Sequence, residues 1–312
     1  MAILCFMPLD PQVQRYLQQA QELGLPPVQD LSPQEARARS EQDTRALFGE
    51  VEEVASIADF EVDGVPLRSY TPSTSGGELP LVVFLHGGGW VVGSLESYDG
   101  VCRALANRVP CRVVSVDYRL APEHPFPTAV DDSWTVTRWA FGQSSRVAVA
   151  GDSAGGNLAA VMALRARDAG LPLSFQLLIY PVTEHRFNTA SYAANATGMG
   201  LTQAGMRWYW DHYLAGSDGS HPDASPLRAA DLSGAAPALV VVCEYDPLRD
   251  EGVAYAERLR EAGVAVELSE YEGMIHGFLR MVAVIDRSQA IFDESARALR
   301  RAFSGFPAPA ER

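Results

Sequence analysis

A serine in a glycine-rich turn carries the clearest chemical signal in the sequence. Residues 151–155 read Gly-Asp-Ser-Ala-Gly, which places Ser153 at the centre of the spacing G-x-S-x-G. A short apolar run at 146–150 precedes this turn, and a helix-length run at 157–169 follows it. A sharp turn from strand to helix is the setting in which this spacing exposes a serine hydroxyl at the end of a sheet. The pattern therefore predicts that Ser153 is a nucleophile.

A run of three glycines offers the backbone groups that such a nucleophile requires. Residues 86–90 read His-Gly-Gly-Gly-Trp and directly follow an apolar run. Without side chains to obstruct them, the N–H groups of Gly87 and Gly88 can point at one oxygen atom, and the N–H group of Ala154 would add a third donor. We predict an oxyanion hole from these three residues, with a tight structural loop as the alternative. His86 is expected to brace the loop.

A base and an acid for the serine are expected after two later strands. Catalytic triads of this turn type follow the chain order serine, acid, histidine. Of the six histidines, His276 follows the last apolar run of the sequence, and we predict it as the general base. Asp246 lies just past the apolar run 238–243 and is predicted to orient the imidazole. Asp250, about one helical turn later, is the alternative to Asp246.

The composition excludes several other classes of protein. The 312 residues include no lysine, since all 25 basic residues are arginine, and this excludes lysine nucleophiles, Schiff bases and the phosphate-binding P-loop. With 39 acidic residues the formal net charge is −14, which argues against nucleic acid and anionic membranes as partners. The four cysteines form no C-x-x-C pair, so we expect neither a metal site nor a redox dithiol.

Membrane insertion and export are not expected either. No apolar run approaches the roughly 18 residues of a membrane-spanning helix. The apolar residues 1–7 form too short a run for a secretion signal and have no basic region before them. We therefore predict a cytoplasmic protein. Met7 could be the natural start, which would make residues 1–6 an upstream extension, and the tail 306–312 is expected to lack structure.

Short apolar runs that alternate with helix-length segments predict the fold. A strand pair is expected at 54–62 and 65–70, and the later runs alternate with amphipathic segments, as in a mostly parallel sheet that is buried on both faces. Further strands are predicted at 79–85, 112–116, 146–150, 175–180, 238–243 and 264–268. Two helices are predicted in the first fifty residues, one capped by Asp10 and the other opened by a capping box at Ser32.

The segment between Pro181 and Ala236 interrupts this alternation, because it contains no strand-like run. Within it Thr202 can cap a helix whose apolar residues recur at i, i+3, i+4, i+7 and i+8 and so share one face. These residues are Met206, Tyr209, Trp210, Tyr213 and Leu214. The helix has two open interpretations, either packing against the core or a lid over a pocket.

Four motifs of this sequence together resemble those of the hormone-sensitive-lipase-like α/β-hydrolases, the bacterial family IV carboxylesterases. The motifs lie at 86–90, 151–156, 246–252 and 276–278. The resemblance runs from about residue 50 to the end of the chain, and the segment 118–127 shares in it. It implies an α/β-hydrolase fold with a mostly parallel, eight-stranded sheet flanked by helices and covered by a helical cap.

The resemblance also divides the chain into a cap and a catalytic core. The cap would comprise residues 1–50 and the insertion 184–220. The core would comprise residues 51–183 and 221–312. Many members of the family form dimers through the last strand of the sheet, so a homodimer through residues 264–271 is a further expectation.

The site implied by the resemblance binds carboxylic esters with short to medium acyl chains and needs no cofactor. Candidate residues for the substrate pocket are Trp90, Asp152, Phe187, Met199, Trp208, Tyr209 and Tyr213. The sequence as a whole predicts a serine carboxylesterase that forms an acyl-enzyme. Three alternatives stay open: an amidase or arylacetamide deacetylase on the same triad, a long-chain lipase, and a ligand-binding homologue without activity. The last is disfavoured because Ser153, Asp246 and His276 are all present.

Overall fold

The computed structural model of the chain describes residues 8–73 and 77–305. The question of the natural start at residues 1–7 and the expectation for the tail 306–312 lie outside these ranges. Within them the alternating runs of the sequence form one sheet with helices on both faces.

Eight strands form the sheet, as the sequence predicted. They are β1 (Ser56–Val62), β2 (Val65–Thr71), β3 (Leu81–Leu85), β4 (Arg112–Val116), β5 (Val147–Asp152), β6 (Leu173–Ile179), β7 (Ala238–Tyr245) and β8 (Val266–Ile275). Their order across the sheet is β1-β2-β4-β3-β5-β6-β7-β8. The pairs β1–β2 and β2–β4 are antiparallel, and all the other pairs are parallel.

The helices begin where the sequence supplies caps. They are α1 (Pro11–Glu22), α2 (Pro33–Phe48), α3 (Asp99–Arg108), α4 (Thr128–Ala140), α5 (Ala154–Asp168), α6 (Ala190–Ala194), α7 (Gln203–Leu214), α8 (Arg249–Glu261) and α9 (Ser288–Phe303). Asp10 accepts a hydrogen bond from the Gln12 N–H at the start of α1, and Ser32 forms the predicted capping box with Glu35 in α2. Thr202 caps α7 through the Gly205 N–H.

Two apolar clusters, one on each face of the sheet, hold the layers together. Alternate residues of each central strand point to opposite faces, so Val83 belongs to one cluster and its neighbour Phe84 to the other. Helices α4, α5 and α8 cover the first face, and α3 and α9 cover the second. This double burial explains why strands β3 and β5 consist of buried residues throughout.

Two elements differ from the sequence-based expectation. Strand β8 continues to Ile275, well past the predicted end at residue 268. The predicted strand is too short because Glu270 and Glu272 are polar and exposed, although Tyr271 and Met274 beside them are buried. The short helix α6 lies ahead of the helix predicted after Thr202 and was not predicted itself. Its five residues are too few to show a helical period. Strand β8 is at the edge of the sheet, and the dimer through it stays a prediction.

In the described ranges, no helix has both the length and the apolar character needed to cross a membrane.

Helix α5 starts so close to β3 that only glycine fits at position 155. A β-carbon at Gly155 would lie 1.9 Å from the carbonyl oxygen of Leu85. We expect Gly155→Ala to lower the free energy of unfolding by about 3 kcal/mol, because two backbones must move apart. The exposed Gly142→Ala is the matched control, since its β-carbon would meet only the Trp139 carbonyl oxygen, at 3.4 Å. Urea unfolding of both variants measures the difference, and equal stability would contradict this reading of the contact.

Candidate active site

Ser153 occupies a strained turn between β5 and α5. Its backbone has φ of 56° and ψ of −120°, a positive φ that costs a residue with a side chain conformational energy. Backbone hydrogen bonds hold it there: its N–H donates to the Ile179 carbonyl, and its own carbonyl accepts from the Asn157 and Val182 N–H groups. The predicted strand–turn–helix setting is therefore present, and it directs the serine side chain to the carboxyl end of the sheet.

The structure brings Ser153, His276 and Asp246 together. The hydroxyl Oγ of Ser153 lies 2.9 Å from Nε2 of His276, and Nδ1 of the same ring lies 2.7 Å from Oδ2 of Asp246. Since an ionised carboxylate only accepts hydrogen bonds, the proton of the neutral ring belongs on Nδ1. Nε2 is then free to accept the serine proton. Three strands, β5, β7 and β8, end next to these three residues, which is why residues far apart in sequence meet.

Asp246 and the two acids that follow it, Asp250 and Glu251, each have their own hydrogen-bond donors. Oδ1 of Asp246 itself accepts from the Leu248 N–H at 2.8 Å, which fixes the buried carboxylate. Asp250, the alternative acid, accepts from the Ser191 N–H at 2.8 Å. Glu251 is buried and accepts from the Thr183 N–H at 2.7 Å, and burial raises the pKa of this carboxyl well above its ordinary value. The sequence analysis did not identify this buried role of Glu251.

The glycine loop differs from the prediction at one donor. The Gly87 N–H already donates to Oδ1 of Asp152 at 2.9 Å, so the prediction that it belongs to the oxyanion hole is wrong. The N–H groups of Gly88 and Gly89 have no acceptor in the described residues. Ala154 is the first residue of α5, and its N–H is one of those that a helix start leaves unpaired. Gly89, which sequence reasoning did not select, therefore replaces Gly87 as a candidate donor.

Asp152 connects the glycine loop to the serine turn. Besides the Gly87 N–H, it accepts a hydrogen bond from the Tyr98 hydroxyl at 3.0 Å. Asp152 is buried, and burial raises the pKa of its carboxyl even though both hydrogen bonds act in the opposite direction. A buried carboxylate with two donors therefore connects the glycine loop on one side to the Ser153 turn on the other.

His86 braces the same loop from behind, as the sequence predicted. Its ring stacks on Tyr118 with centroids 4.2 Å apart, and its Nδ1–H donates to the Gly87 carbonyl at 2.8 Å. The ring is completely buried, and burial lowers its pKa to about 4. His86 is therefore a neutral structural residue in the pH range where a histidine base would act.

A cavity of about 240 Å³ opens over Ser153 and His276. Of the predicted pocket residues, Asp152 and Tyr209 line it. Tyr209 lies so close to the glycine loop that a β-carbon at Gly89 would be 2.1 Å from its ring. Met206, on the same face of α7, also contributes to the wall.

Five predicted pocket residues do not line this cavity: Trp90, Phe187, Met199, Trp208 and Tyr213. Trp90 and Tyr213 are fully buried and stack on each other with ring centroids 4.1 Å apart, so both belong to the core. Phe187 packs edge-on against Tyr192, and Trp208 against Tyr209. Met199 packs against the apolar cluster on the second face of the sheet. Large aromatic size therefore did not distinguish the core from the cavity wall.

Polar residues from two distant segments complete the wall, and the sequence-based list missed them. Arg39, Ser40 and Asp43 lie on α2, and Arg280 lies four residues after His276. The α2 residues share one helical face with Ala36 and Leu47, at the spacing i, i+3, i+4, i+7 and i+11, and this periodicity was the signal available in the sequence.

A parallel sheet with a serine at a strand–helix turn and a histidine after its last strand defines the class of protein as an α/β hydrolase. Comparison with protein families agrees: the family described as having the alpha/beta hydrolase fold matches residues 82–280. The chain belongs to this family.

Relatives with assigned activities identify the kind of hydrolase. The chain is 45% identical over 250 residues to carboxylesterase NlhH of Mycobacterium tuberculosis, a match that covers 76% of this chain and 78% of the relative. It is 37% identical over 305 residues to ethyl acetate hydrolase of Pseudomonas putida, covering 90% of this chain and 95% of the relative. The crystal structure of a thermostable esterase from Pseudomonas putida ECU1011 superposes with a TM-score of 0.89 at 37% identity, covering 95% and 98% of the two chains. The protein is a carboxylic ester hydrolase of the hormone-sensitive-lipase-like type.

The depressed pKa of His86 makes stability depend on pH. Between its folded value of about 4 and the ordinary value of 6.5, the unfolded chain binds more protons than the folded one. The contribution of this ring to stability is therefore complete above about pH 6.5 and is lost as the pH falls towards 4, by about 3 kcal/mol in total. Urea unfolding between pH 4 and 6.5 should show that the free energy of unfolding falls less with decreasing pH in His86→Gln than in wild type. Ring NMR signals of His86 that titrate near pH 6.5 would contradict the prediction.

Proposed function

We propose that the enzyme hydrolyses carboxylic esters with short to medium acyl chains through a Ser153–His276–Asp246 triad and an acyl-enzyme intermediate. The observation that carries the proposal is the continuous chain of hydrogen bonds from Ser153 Oγ, through both nitrogens of His276, to the buried Asp246. This chain opens directly into the cavity. Each contact has the length that proton transfer between the groups requires.

The first half of the reaction acylates the serine. Ser153 Oγ attacks the ester carbonyl carbon while Nε2 of His276 takes its proton. Asp246, which accepts from Nδ1–H at 2.7 Å, keeps the ring in the tautomer that leaves Nε2 free and stabilises the imidazolium that forms. When the tetrahedral intermediate collapses, Nε2–H gives its proton to the departing alkoxide, and the alcohol leaves. The acyl group remains on Oγ.

Backbone N–H groups stabilise the negative oxygen of the tetrahedral intermediate. Gly88, Gly89 and Ala154 are the proposed donors, since the N–H of Gly87 is already bonded to Asp152. Such donors are fixed before the reaction starts, so they lower the barrier without reorganising, and each contributes on the order of 3 kcal/mol. Water then attacks the acyl carbon while Nε2 of His276 takes its proton, and the same donors hold the second intermediate. When the bond between the acyl carbon and Oγ breaks, Nε2–H returns the proton to Ser153 Oγ and the carboxylic acid leaves.

The size and walls of the cavity support the proposed substrate range. Its volume of about 240 Å³ is below the roughly 300–1,000 Å³ of pockets that bury drug-sized ligands. Its walls come from α2 and α7 as well as from the sheet. We include residues 1–50 and 184–220 in the proposed cap for that reason, with the catalytic core formed by 51–183 and 221–312. The cytoplasmic location and the independence of cofactors stay predictions from the sequence.

Hydrolysis of p-nitrophenyl esters from acetate to palmitate tests both the nucleophile and the substrate range. We expect kcat/KM to be highest for the short and medium chains and to fall for palmitate, because the long chain exceeds the cavity. Ser153→Ala should reduce kcat about 10⁶-fold, since the covalent route is lost. Matched anilides of the same acids report amidase activity. Anilide hydrolysis faster than ester hydrolysis, or full activity in a folded Ser153→Ala variant, would overturn the proposal.

Asp246 and Asp250 lie on either side of Pro247, and a matched pair of variants tests which of them is the third member of the triad. Asp246→Asn should lower kcat about 10⁴-fold, because the amide can present its NH₂ to the ring and favour the wrong tautomer. Asp250→Asn should keep most of the activity, since that carboxylate accepts from the Ser191 N–H instead. Steady-state kinetics of both variants with p-nitrophenyl butyrate decide the assignment. A larger loss in Asp250→Asn would transfer the role to Asp250.

A further inference from the structure

Arg280 is a fixed cation in the wall of the cavity that contains Ser153. The chain turns at Gly277, where φ is 81°, into a short 3₁₀ helix, Phe278–Arg280, directly after His276. The guanidinium carbon of Arg280 lies 4.7 Å from the centroid of the Tyr98 ring, and Nη2 donates to Oγ1 of Thr44 on α2. Contact with a ring face and a hydrogen bond to a neighbouring helix hold the planar group in one orientation.

Protein groups meet only part of the hydrogen-bonding capacity of this guanidinium. Its Nε is buried and has no acceptor among the described residues. Within residues 8–73 and 77–305, no carboxylate lies within ion-pair distance of Arg280. A buried cationic donor without an acceptor is unfavourable, and structures normally supply one. Arg280 therefore lines the cavity without a counter-charge from the described residues, and a substrate carboxylate that enters the cavity would supply one.

Neither of the acidic residues that line the cavity provides that acceptor. Asp152 already accepts from the Gly87 N–H and the Tyr98 hydroxyl. Asp43 is exposed on α2 and does not lie within ion-pair distance of Arg280. Arg39 adds a second positive charge at the α2 side of the cavity.

We infer that the cavity selects esters that carry a carboxylate, and that Arg280 binds this carboxylate while Ser153 attacks the ester carbonyl. The planar N–H groups of arginine match the two oxygens of a carboxylate. The carboxylate can belong to the acyl half, as in a monoester of a dicarboxylic acid, or to the alcohol half, as in an ester of a hydroxy acid. The inference names the substrate class of the active site proposed above and depends on that proposal.

Two sets of substrate pairs, called the acyl arm and the alcohol arm, separate the effect of charge from that of shape and the acyl half from the alcohol half. The acyl arm compares monomethyl succinate, glutarate and adipate with methyl esters in which an isopropyl group replaces the carboxylate. The alcohol arm compares carboxymethyl acetate with isobutyl acetate, which has the same shape without the charge. The measured quantity is the ratio of kcat/KM for the charged ester to kcat/KM for its neutral partner. Dividing this ratio for wild type by that for a variant cancels differences in the leaving group.

Arg280→Gln should reduce this ratio about 10- to 100-fold in at least one arm, the loss expected for one charge-assisted hydrogen bond. The arm that responds identifies the half that carries the carboxylate. Arg280→Lys keeps the charge without the planar fork and should fall between wild type and Arg280→Gln. Arg45→Gln is the matched control. It also replaces an arginine by glutamine, but Arg45 lies on α2 at a position that does not line the cavity. It should leave the ratio unchanged.

Asp43→Asn should act in the opposite direction. Removing this exposed negative charge should raise the ratio about two- to fivefold, as for one screened surface charge. This variant decides the question if Arg280→Gln fails to fold, because a ratio that does not rise then overturns the inference.

The outcomes distinguish the inference from the proposed function. Wild-type hydrolysis of the neutral esters, combined with equal ratios in wild type and a folded Arg280→Gln, overturns the role of Arg280 and leaves the esterase proposal intact. Hydrolysis of neither class by wild type overturns both. A drop of the ratio in Arg280→Gln with an unchanged ratio in Arg45→Gln supports both.

Discussion

The close contact of three backbones beneath Ser153 is the constraint on which the site depends. A β-carbon at Gly155 would lie 1.9 Å from the Leu85 carbonyl oxygen, and one at Gly151 would lie 2.3 Å from that of Gly155. Because α5 starts this close to the end of β3, the serine turn and the glycine loop after β3 become neighbours. The strained serine and the unpaired N–H groups can meet only where no side chain separates the backbones. Gly151 and Gly155 are therefore required for the close approach of the backbones rather than for flexibility.

Asp152 makes these two neighbouring segments a single unit. It precedes Ser153 in sequence, yet its carboxylate accepts from the Gly87 N–H and so fixes the glycine loop. His86 holds the other side of the same peptide through the Gly87 carbonyl. With both polar groups of Gly87 bonded, the loop has a defined path, and the next two N–H groups can take up fixed directions. One glycine thus provides rigidity so that the following ones can provide donors.

Sequence patterns predicted what local rules determine. The cap residues Asp10, Ser32 and Thr202 and the strand β4 lie where capping and apolar runs placed them, because each is specified by its immediate neighbours. The donor at Gly87 could not be predicted correctly, since its partner Asp152 is 65 positions away in the chain. Likewise the stacking of Trp90 on Tyr213 depends on how α7 packs, and residue size alone cannot reveal it.

The segment after His276 connects this residue to helix α2, which forms part of the cavity wall. Helix α2 is attached to it twice, by the hydrogen bond from the Ala283 N–H to the Leu47 carbonyl at 2.9 Å and by the bond between Arg280 and Thr44. Helix α2 is therefore joined to the stretch of chain that directly follows His276. Its cavity-facing residues, such as Arg39 and Asp43, make no hydrogen bond to the triad. Substitutions there would alter the wall of the cavity without removing a hydrogen bond of Ser153, His276 or Asp246. We therefore expect that the proposed selectivity and the proposed chemistry can be changed separately.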